Sequence, residues 1–330
     1  MISFVLGVED LADTWFAVSP LHEAVVALRV LRAPGLFPLH ARWRADVLRR
    51  LDPADARLLA ALVGDALTLP DFLTPRPVSA APTLEEELAA VRATPPEIVR
   101  RDLAAAHAPA PLPPALRAVT APGDAPVAEL LEELVALLRR YWETALAPLW
   151  PRMRLVLEAD VTYRARQLAT GGPHRLFTEL HPHLRWRDDG VLDIARMIGR
   201  HRVQAAGRGL RLVPSLFAHQ PAPPVSAEEP PSLAYPGRGA ATLWEPAPPT
   251  GAPALAALLG APRTTLLRML ADPLPTVELA RRLGVTPSAV SQHLRVLHAA
   301  GLVTRARDGR HVLYRRSPLG DRLAAGDDGP

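Results

Sequence analysis

The distribution of proline constrains the folding of this chain more than any other feature. The 330 residues include 37 prolines, and proline ends helices and cannot donate a hydrogen bond to a β-ladder. Three stretches are especially rich in proline, at residues 107–126, 221–231 and 246–253. The third stretch separates a long upstream region from a short basic region, so we expect a domain linker there.

The upstream region combines helical and strand-like patterns. Apolar residues recur with the period of an amphipathic helix at 21–31, 54–63, 83–93, 96–106, 127–147 and 152–169. After Gly171 and Gly172, short β-prone runs predict strands at 184–186, 191–194, 210–213 and 241–244. We therefore expect an α+β fold that is mainly helical, with a large mixed domain at the N-terminus.

Positive charge is concentrated in the last fifth of the chain. Residues 262–330 contain 11 arginines and six acidic residues, a net charge of +5, whereas residues 1–261 have a net charge of −1. Such a density of arginine is typical of a surface that binds nucleic-acid phosphates. A solvated basic surface has the same composition, so the residue pattern must decide between the two.

Residues 262–318 combine helix and turn signals at close spacing. Apolar residues recur with helical period over 263–270 and 276–283, and Gly284 then provides the positive φ that a tight turn between helices requires. Thr286 is a favourable N-cap, and Pro287 fits the first position of a third helix that ends before Gly301. The sequence therefore predicts a helix-turn-helix.

The third helix has one polar face and one apolar face. At 100° per residue, Val290, Leu294 and Leu297 lie opposite a narrow polar face. The hydroxyl, amide and guanidinium groups of that face are those that contact base edges and phosphates. We expect this helix to read DNA in the major groove through Ser288, Ser291, Gln292 and Arg295.

A basic hairpin is predicted after this helix. Two β-prone runs, 302–307 and 310–316, flank the pair Asp308-Gly309, and such a pair is a strong hairpin signal because a type I′ turn needs positive φ at both central residues. Arginine at a hairpin tip suits phosphate contacts and entry into the minor groove. We expect the DNA backbone to be held by Thr286, Arg305, Arg307, Arg310, His311 and Arg315.

The order of these elements is that of a winged helix-turn-helix. The run VTPSAVSQHLRVLHAAGLVTRARDGRHVLYRRS resembles the winged-helix domain of the ArsR family of bacterial repressors, with matches at Ser291, His293, Leu294, Leu297, Ala300, Gly301, Leu302 and Val303. Upstream, the runs FVLGVEDLADTWFAVSPLHEAVVALRVL, GRGLRLVPSLF and LAYPGRGAATLWE resemble a domain of undefined activity that is attached to ArsR-type regulators of actinobacteria.

The resemblance implies a two-part transcriptional regulator. We expect a sensor and dimerisation domain at 1–245, a proline-rich linker with a lead-in helix at 246–261, the winged helix-turn-helix at 262–318 and a flexible tail at 319–330. A regulator of this kind is a homodimeric repressor that binds a pseudo-palindromic operator in double-stranded DNA. A small-molecule effector would release it from the operator.

The sequence departs from the metal-sensing members of that family. Those proteins hold metal through cysteines in the first helix of the motif or through Asp and His in a helix after the wing, whereas this chain has no cysteine and only SPLGDRLAAGDDGP follows its wing. We therefore expect no metal at those positions and no final dimerisation helix. The helix from Val127 or the segment 255–259 is expected to supply the dimer interface instead.

Other candidate sites are weak. His181-Pro182-His183 has metal-like spacing, but without a fixed third ligand these histidines are better explained as surface or capping residues. Two Gly-Arg-Gly runs lack the spacing of a phosphate loop. The aromatic residues Trp142, Trp150, Tyr163, Phe177 and Trp186 either line a ligand pocket or belong to the core.

No catalytic constellation is present in the sequence, so we expect no enzyme activity and no cofactor. Two alternatives for the N-terminal domain stay open: an enzyme with an appended DNA-binding module, and a protein-interaction domain without a ligand. The first basic residue is Arg29, which does not fit a secretory signal, and apolar runs are too short to cross a membrane. A cytoplasmic location is expected.

Overall fold

The computed structural model describes residues 1–197, 199–245, 252–308 and 311–325. The chain divides into two compact units, Met1–Trp244 and Glu245–Pro330, which are treated separately below. Most of the predicted proline-rich linker, 246–251, lies outside the described residues. Of the helices that are described, none combines the length and the apolar character needed to cross a membrane.

Two small sheets are assembled in the N-terminal unit from strands that are distant in sequence. A four-stranded sheet has the order β3-β4-β1-β5, where these strands are Leu184–Trp186, Val191–Ile194, Ile2–Val5 and His201–Gln204. β1 pairs antiparallel with β4 and parallel with β5. A parallel sheet has the order β2-β6-β7, from Thr14–Phe16, Leu210–Ser215 and Ser232–Pro236.

Helices form the larger part of the N-terminal unit. They are α1 Val8–Ala12, α2 Pro20–Arg32, α3 Ala41–Arg50, α4 Pro53–Ala61, α5 Leu84–Arg92, α6 Pro96–His107, α7 Ala125–Ala145 and α8 Trp150–Leu180. Short 3-10 helices lie at Pro34–Leu36, Pro38–His40, Asp71–Leu73, Pro114–Thr120 and Ala240–Trp244. Counted over the described residues of both units, helical segments make up just over half, so the fold is a mixture of helix and sheet in which helix dominates.

α2 is the centre of the helical core. It begins where the Ser19 side chain accepts a hydrogen bond from the His22 amide at 2.9 Å and Pro20 occupies its first turn. Ten of its 13 residues are buried, and they pack with the apolar residues of α4, α5, α6 and α7 in one cluster. The largest apolar burial of the unit is therefore organised around this helix.

The structure corrects three expectations for this unit. Residues 241–244 were expected to form a strand but lie in the 3-10 helix Ala240–Trp244. The helix expected to end at 169 continues to Leu180 across a kink at Gly172, whose φ is +66°, because Pro173 fits the first turn of the following helical piece. The apolar stripe of α7, offered as a dimer interface, is buried in the core of its own unit.

The five aromatic residues do not form one pocket. Trp142 and Trp150 pack in the helical core with ring centroids 5.1 Å apart. Phe177 and Trp186 belong to a second core cluster, which includes residues of both sheets, and their ring centroids are 5.3 Å apart. Tyr163 is 40% exposed and lies under the Arg238 guanidinium at 3.7 Å. The five residues thus do not share one binding site.

The C-terminal unit contains five helices and a small sheet in its described part. The helices are α9 Ala252–Leu259, α10 Ala261–Met269, α11 Thr276–Leu283, α12 Pro287–Ala299 and α13 Pro318–Ala325. The sheet has the order β8-β10-β9, from Leu274–Pro275, His311–Arg316 and Val303–Asp308. α13 corrects the expectation of a flexible tail over 319–330 for the residues up to 325.

Two buried glutamates fix the start of α2. Glu23 is fully buried and its carboxyl group accepts hydrogen bonds from the Leu216 amide at 3.1 and 3.2 Å. Glu87 of α5 accepts from the Leu21 amide at 2.9 Å. Burial raises the pKa of Glu23 to about 8 and that of Glu87 to about 7. Between the ordinary pKa of 4.5 and these values, the two carboxyl groups are protonated in the folded protein and ionised in the unfolded chain.

The free energy of unfolding is expected to fall as the pH rises from the ordinary pKa of Glu23, 4.5, to its folded-state pKa of about 8, and to level off above that pH. Within this window the unfolded chain has already lost the proton that the folded protein retains, and above it both states are ionised. Glu23→Gln, which resembles the protonated carboxyl group, should make this fall shallower. Urea unfolding at pH 5, 6, 7 and 8 measures it, and the exposed Glu129→Gln serves as the control. Equal slopes for all three proteins would contradict the assignment.

Candidate nucleic-acid interface

The turn between α11 and α12 depends on Gly284. Its φ is +63°, its amide donates to the Arg281 carbonyl at 3.4 Å, and the Val285 amide donates to the Ala280 carbonyl at 3.1 Å. This pair of bonds is a Schellman motif, which requires a left-handed residue and so favours glycine. The predicted turn glycine is confirmed in this role.

Both ends of α12 are fixed by specific caps. The Thr286 hydroxyl accepts from the Ala289 amide at 3.3 Å at the N-terminus. At the C-terminus, Gly301 has φ +71°, and the amides of Gly301 and Leu302 donate to the carbonyls of His298 and Leu297 at 3.0 and 2.9 Å. The orientation of the helix is thus set by its own termini as well as by its packing.

The two faces of α12 lie as the sequence predicts. Val290, Leu294 and Leu297 are buried in the core of the unit. On the opposite side, Ser288, Gln292 and Arg295 are exposed and Ser291 is half-buried. Within the described part of the chain, the Arg295 guanidinium forms no hydrogen bond or ion pair, so its donors are available to a ligand.

Two arginines of α11 are tied to an acid instead. Arg281 and Arg282 both pair with Glu278, at 2.7 Å each, and these contacts lower the pKa of the Glu278 carboxyl to about 2. The charges of this helix are partly compensated. Of the arginines on these two helices, only Arg295 of α12 lacks an acidic partner among the described residues.

The hairpin register differs from the predicted one at Asp308. Asp308 pairs with His311 at the ends of β9 and β10, so Asp308 is part of the strand and not of the turn where the sequence analysis placed it. Gly309 and Arg310 lie outside the described residues, as does the side chain of His311.

The strand pleat places the hairpin arginines on two faces. Arg305 and Arg307 are two residues apart on β9, so they share one face, and both are exposed. Arg315 lies opposite Thr304, on the other face, and its Nε donates to the Ala271 carbonyl at 3.3 Å. The structure therefore gives Arg315 a contact with the segment after α10.

The sequence analysis did not predict α13, although a helix N-cap signal precedes it. The Ser317 hydroxyl accepts from the Gly320 amide at 3.1 Å and donates to the Gly301 carbonyl at 2.6 Å. Ser317-Pro318 thus repeats the cap-and-proline pattern of Thr286-Pro287. Gly320 allows the close approach, because a Cβ there would lie 2.1 Å from the Leu302 carbonyl oxygen.

The paired histidines His181 and His183 contact each other. The Nδ1 of His181 accepts from the His183 amide at 3.1 Å, and the two rings are 4.6 Å apart. Among the described residues, no group of three or more His, Cys, Asp or Glu side chains is arranged to hold a metal ion.

Comparison with known proteins concerns the C-terminal unit. A family described as a helix-turn-helix domain matches residues 263–306. The HTH-type transcriptional regulator NmtR of Mycobacterium tuberculosis is 44% identical over 61 residues, 18% of this chain and 51% of NmtR. The HTH-type transcriptional repressor SmtB of the same organism is 58% identical over 38 residues, 12% of this chain and 28% of SmtB.

The solved structure of reduced HlyU from Vibrio cholerae is 33% identical and covers 23% of this chain and 78% of HlyU, with a TM-score of 0.21. The chain spans about half the length of NmtR and just over a quarter of SmtB. NmtR and SmtB are ArsR-family proteins that match the helix-turn-helix region, so the resemblance of this region to that family is confirmed.

Gly320→Ala is expected to destabilise the C-terminal unit by about 1–3 kcal/mol, because the added methyl group overlaps backbone that cannot rotate away. Hydrogen–deuterium exchange of α12 and β10 amides in the full chain measures the change. Leu319→Ala, a change at a partly exposed neighbour on the same helix, is the control. Similar exchange in both variants would mean that α13 does not pack closely against Leu302.

Proposed function

We propose that this chain is a homodimeric transcriptional repressor that binds double-stranded DNA through α12 and the following hairpin. The observation that carries the proposal is the exposed polar face of α12, on a helix capped at both ends and buried on its other side. The names of its relatives NmtR and SmtB, a transcriptional regulator and a transcriptional repressor, support the same function.

The side chains divide into two roles in this proposal. Ser288, Ser291, Gln292 and Arg295 face the major groove, where glutamine pairs with adenine and arginine with guanine. Contacts to phosphates fix the register and orientation of the protein. They are assigned to Thr286, Arg305, Arg307, Arg310, His311 and Arg315.

A two-fold dimer would place two copies of α12 in successive major grooves and so requires a pseudo-palindromic operator. In α9, Leu255 is buried whereas Leu258 is 74% exposed, which supports the expectation that the segment 255–259 contributes to the interface. DNA binding also places the proposed regulator in the cytoplasm.

The N-terminal unit is assigned a sensing role rather than a catalytic one. The buried carboxyl groups of Glu23 and Glu87 and the half-buried carboxyl group of Asp71 accept hydrogen bonds from backbone amides, so these oxygens stabilise the fold. A small-molecule effector bound there would alter the spacing of the two copies of α12.

Arg295→Ala is expected to weaken binding to a preferred duplex by about 1–3 kcal/mol while changing binding to random duplex much less, because a bidentate base contact is lost. Duplexes selected from a random pool by the unsubstituted chain provide the preferred sequence, and fluorescence anisotropy gives both affinities. Sedimentation of the complex should show two chains per duplex. The exposed Arg57→Ala, in the N-terminal unit, is the charge-matched control.

Arg305→Ala should act differently because a phosphate contact carries no base information. Affinity for selected and random duplexes is expected to fall by similar factors, and the slope of log affinity against log salt should decrease by about one in magnitude. Titrations at four salt concentrations measure the slope. An unchanged slope would remove Arg305 from the phosphate contacts, and equal losses for Arg295→Ala on both duplexes would remove Arg295 from base recognition.

A further inference from the structure

A cavity of about 470 Å³ lies within the N-terminal unit. Its walls come from α2, from the segment between α4 and α5, from α6 and from the proline-rich stretch that follows β6. Most of the lining is apolar and includes Val26, Leu69, Phe72 and Ile98. A largely apolar cavity of this size is what a small organic ligand requires.

One face of α2 borders the cavity. His22, Val26 and Arg29 all line it, and their spacing of four and three residues places them on the same side of the helix. The other sides of α2 are buried in the core, so this stripe is held by a rigid element. A side chain on such an element is positioned more accurately than one on a loop.

Arg29 brings a positive charge to this wall without a counter-ion. Its Nε donates to the Leu67 carbonyl at 2.9 Å, which fixes the plane of the guanidinium. Among the described residues, no carboxylate pairs with it. Arg29 is half-buried, and burial lowers its pKa to about 10, so the group stays charged at neutral pH. A partly desolvated cation on a cavity wall attracts an anionic ligand more strongly than a fully hydrated one does.

The acidic residues of the lining are engaged elsewhere. The two carboxylate oxygens of Asp71 accept hydrogen bonds from the amides of Val225 and Ser226 at 2.9 and 2.7 Å. Glu229 pairs with Arg101 at 3.2 Å. These contacts tie the proline-rich wall to the rest of the unit and leave the terminal nitrogens of Arg29 without an internal acceptor.

Two histidines add hydrogen-bonding capacity beside Arg29. The Nε2 of His22 is buried and has no hydrogen-bond partner, and His219 also lines the cavity. Burial and the charge of Arg29 lower the pKa of His22 to about 3 and also lower that of His219. Both imidazoles are therefore neutral near pH 7, and each can donate one N–H to an anion.

Backbone strain coincides with this site. Leu67 and Arg196 have φ of +60° and +58°, in the left-handed region that residues with a Cβ rarely adopt, and both line the cavity. The strained turn at Leu67 presents the carbonyl that accepts from Arg29. Strain retained where it positions a charged side chain is typical of a binding site.

We propose that this cavity binds a small organic acid with an apolar body, whose carboxylate pairs with Arg29 and hydrogen-bonds with His22. One unpaired guanidinium edge matches the two oxygens of a single carboxylate. The apolar walls hold the rest of the ligand. That this acid is the effector that releases DNA rests on the proposed function, whereas its binding to the cavity does not.

The first test measures binding to the full chain without DNA. The probes are octanoate, 1-naphthoate and dodecanoate, each compared with its primary amide by isothermal titration calorimetry and thermal shift. At least one acid should bind, and its amide should bind at least tenfold more weakly because Arg29 is then left unpaired. If no acid binds at millimolar concentration, or acids and amides bind equally, the proposal is overturned.

Variants locate the site. Arg29→Met keeps the side-chain length and removes the charge, and it should weaken acid binding at least tenfold, whereas Arg32→Gln, on the same helix but outside the cavity, should not. Val26→Phe narrows the cavity beside Arg29 and should weaken acid binding, which provides a second test if Arg29→Met fails to fold. Acid binding that is unchanged in both Arg29→Met and Val26→Phe would place the ligand elsewhere and overturn the assignment.

The second test adds the selected duplex. Saturation with the tightest-binding acid should weaken DNA binding of the unsubstituted chain at least fivefold and leave that of Arg29→Met unchanged. Acid binding without any change in DNA affinity would retain the site and overturn its role as the effector site. If the chain binds no DNA at all, the proposed function fails, while the calorimetric result still decides the cavity.

Discussion

The burial of α2 is the constraint on which the N-terminal unit depends. Ten of the 13 residues of α2 are buried, and a polar side chain buried with them needs a hydrogen-bond partner. Glu23 is matched by the Leu216 amide, which connects the helix to the segment after β6. The Leu21 amide near the helix start is matched by Glu87 of α5. The position of α2 is therefore set by specific polar contacts as well as by apolar packing.

Arg29 and His22 depart from this pattern of internal pairing. The Nε of Arg29 donates to the Leu67 carbonyl, but no acid within the described structure neutralises its charge. Of the nearby acids, Asp71 accepts from the Val225 amide of the proline-rich wall, and Glu229 pairs with Arg101. A small change, such as a carboxylate at a neighbouring lining position, would have completed the pair internally. A half-buried guanidinium with no internal acid on the cavity wall favours an anionic ligand over a neutral one.

Local signals were sufficient to predict the helix-turn-helix and the hairpin after it, apart from the position of the turn and the helix α13. Thr286-Pro287, Gly284 and Gly301 act through hydrogen bonds within a few residues, so their meaning is readable from the sequence itself. The strand Ile2–Val5 was not predicted because its partners lie near residues 191 and 201, and nothing local specifies such pairing. The binding role of the cavity was not predicted either. It depends on Arg29 having no acidic partner in the fold, which only the structure reveals. Sequence can show which residues are charged, but not which of them the fold leaves unpaired.

The chemistry of the cavity also determines how selective a sensor built on it can be. An apolar pocket alone discriminates weakly between ligands that differ by a methylene group, by roughly 1–3 kcal/mol. A buried guanidinium changes this, since a neutral analogue must leave the charge unpaired and loses the full interaction. Binding can influence DNA only to the extent that the acid prefers one of the two states, and DNA must then weaken binding of the acid by the same factor. The proposed sensor would thus be selective for the charge of its ligand, whereas the shape of the apolar body would be recognised less strictly.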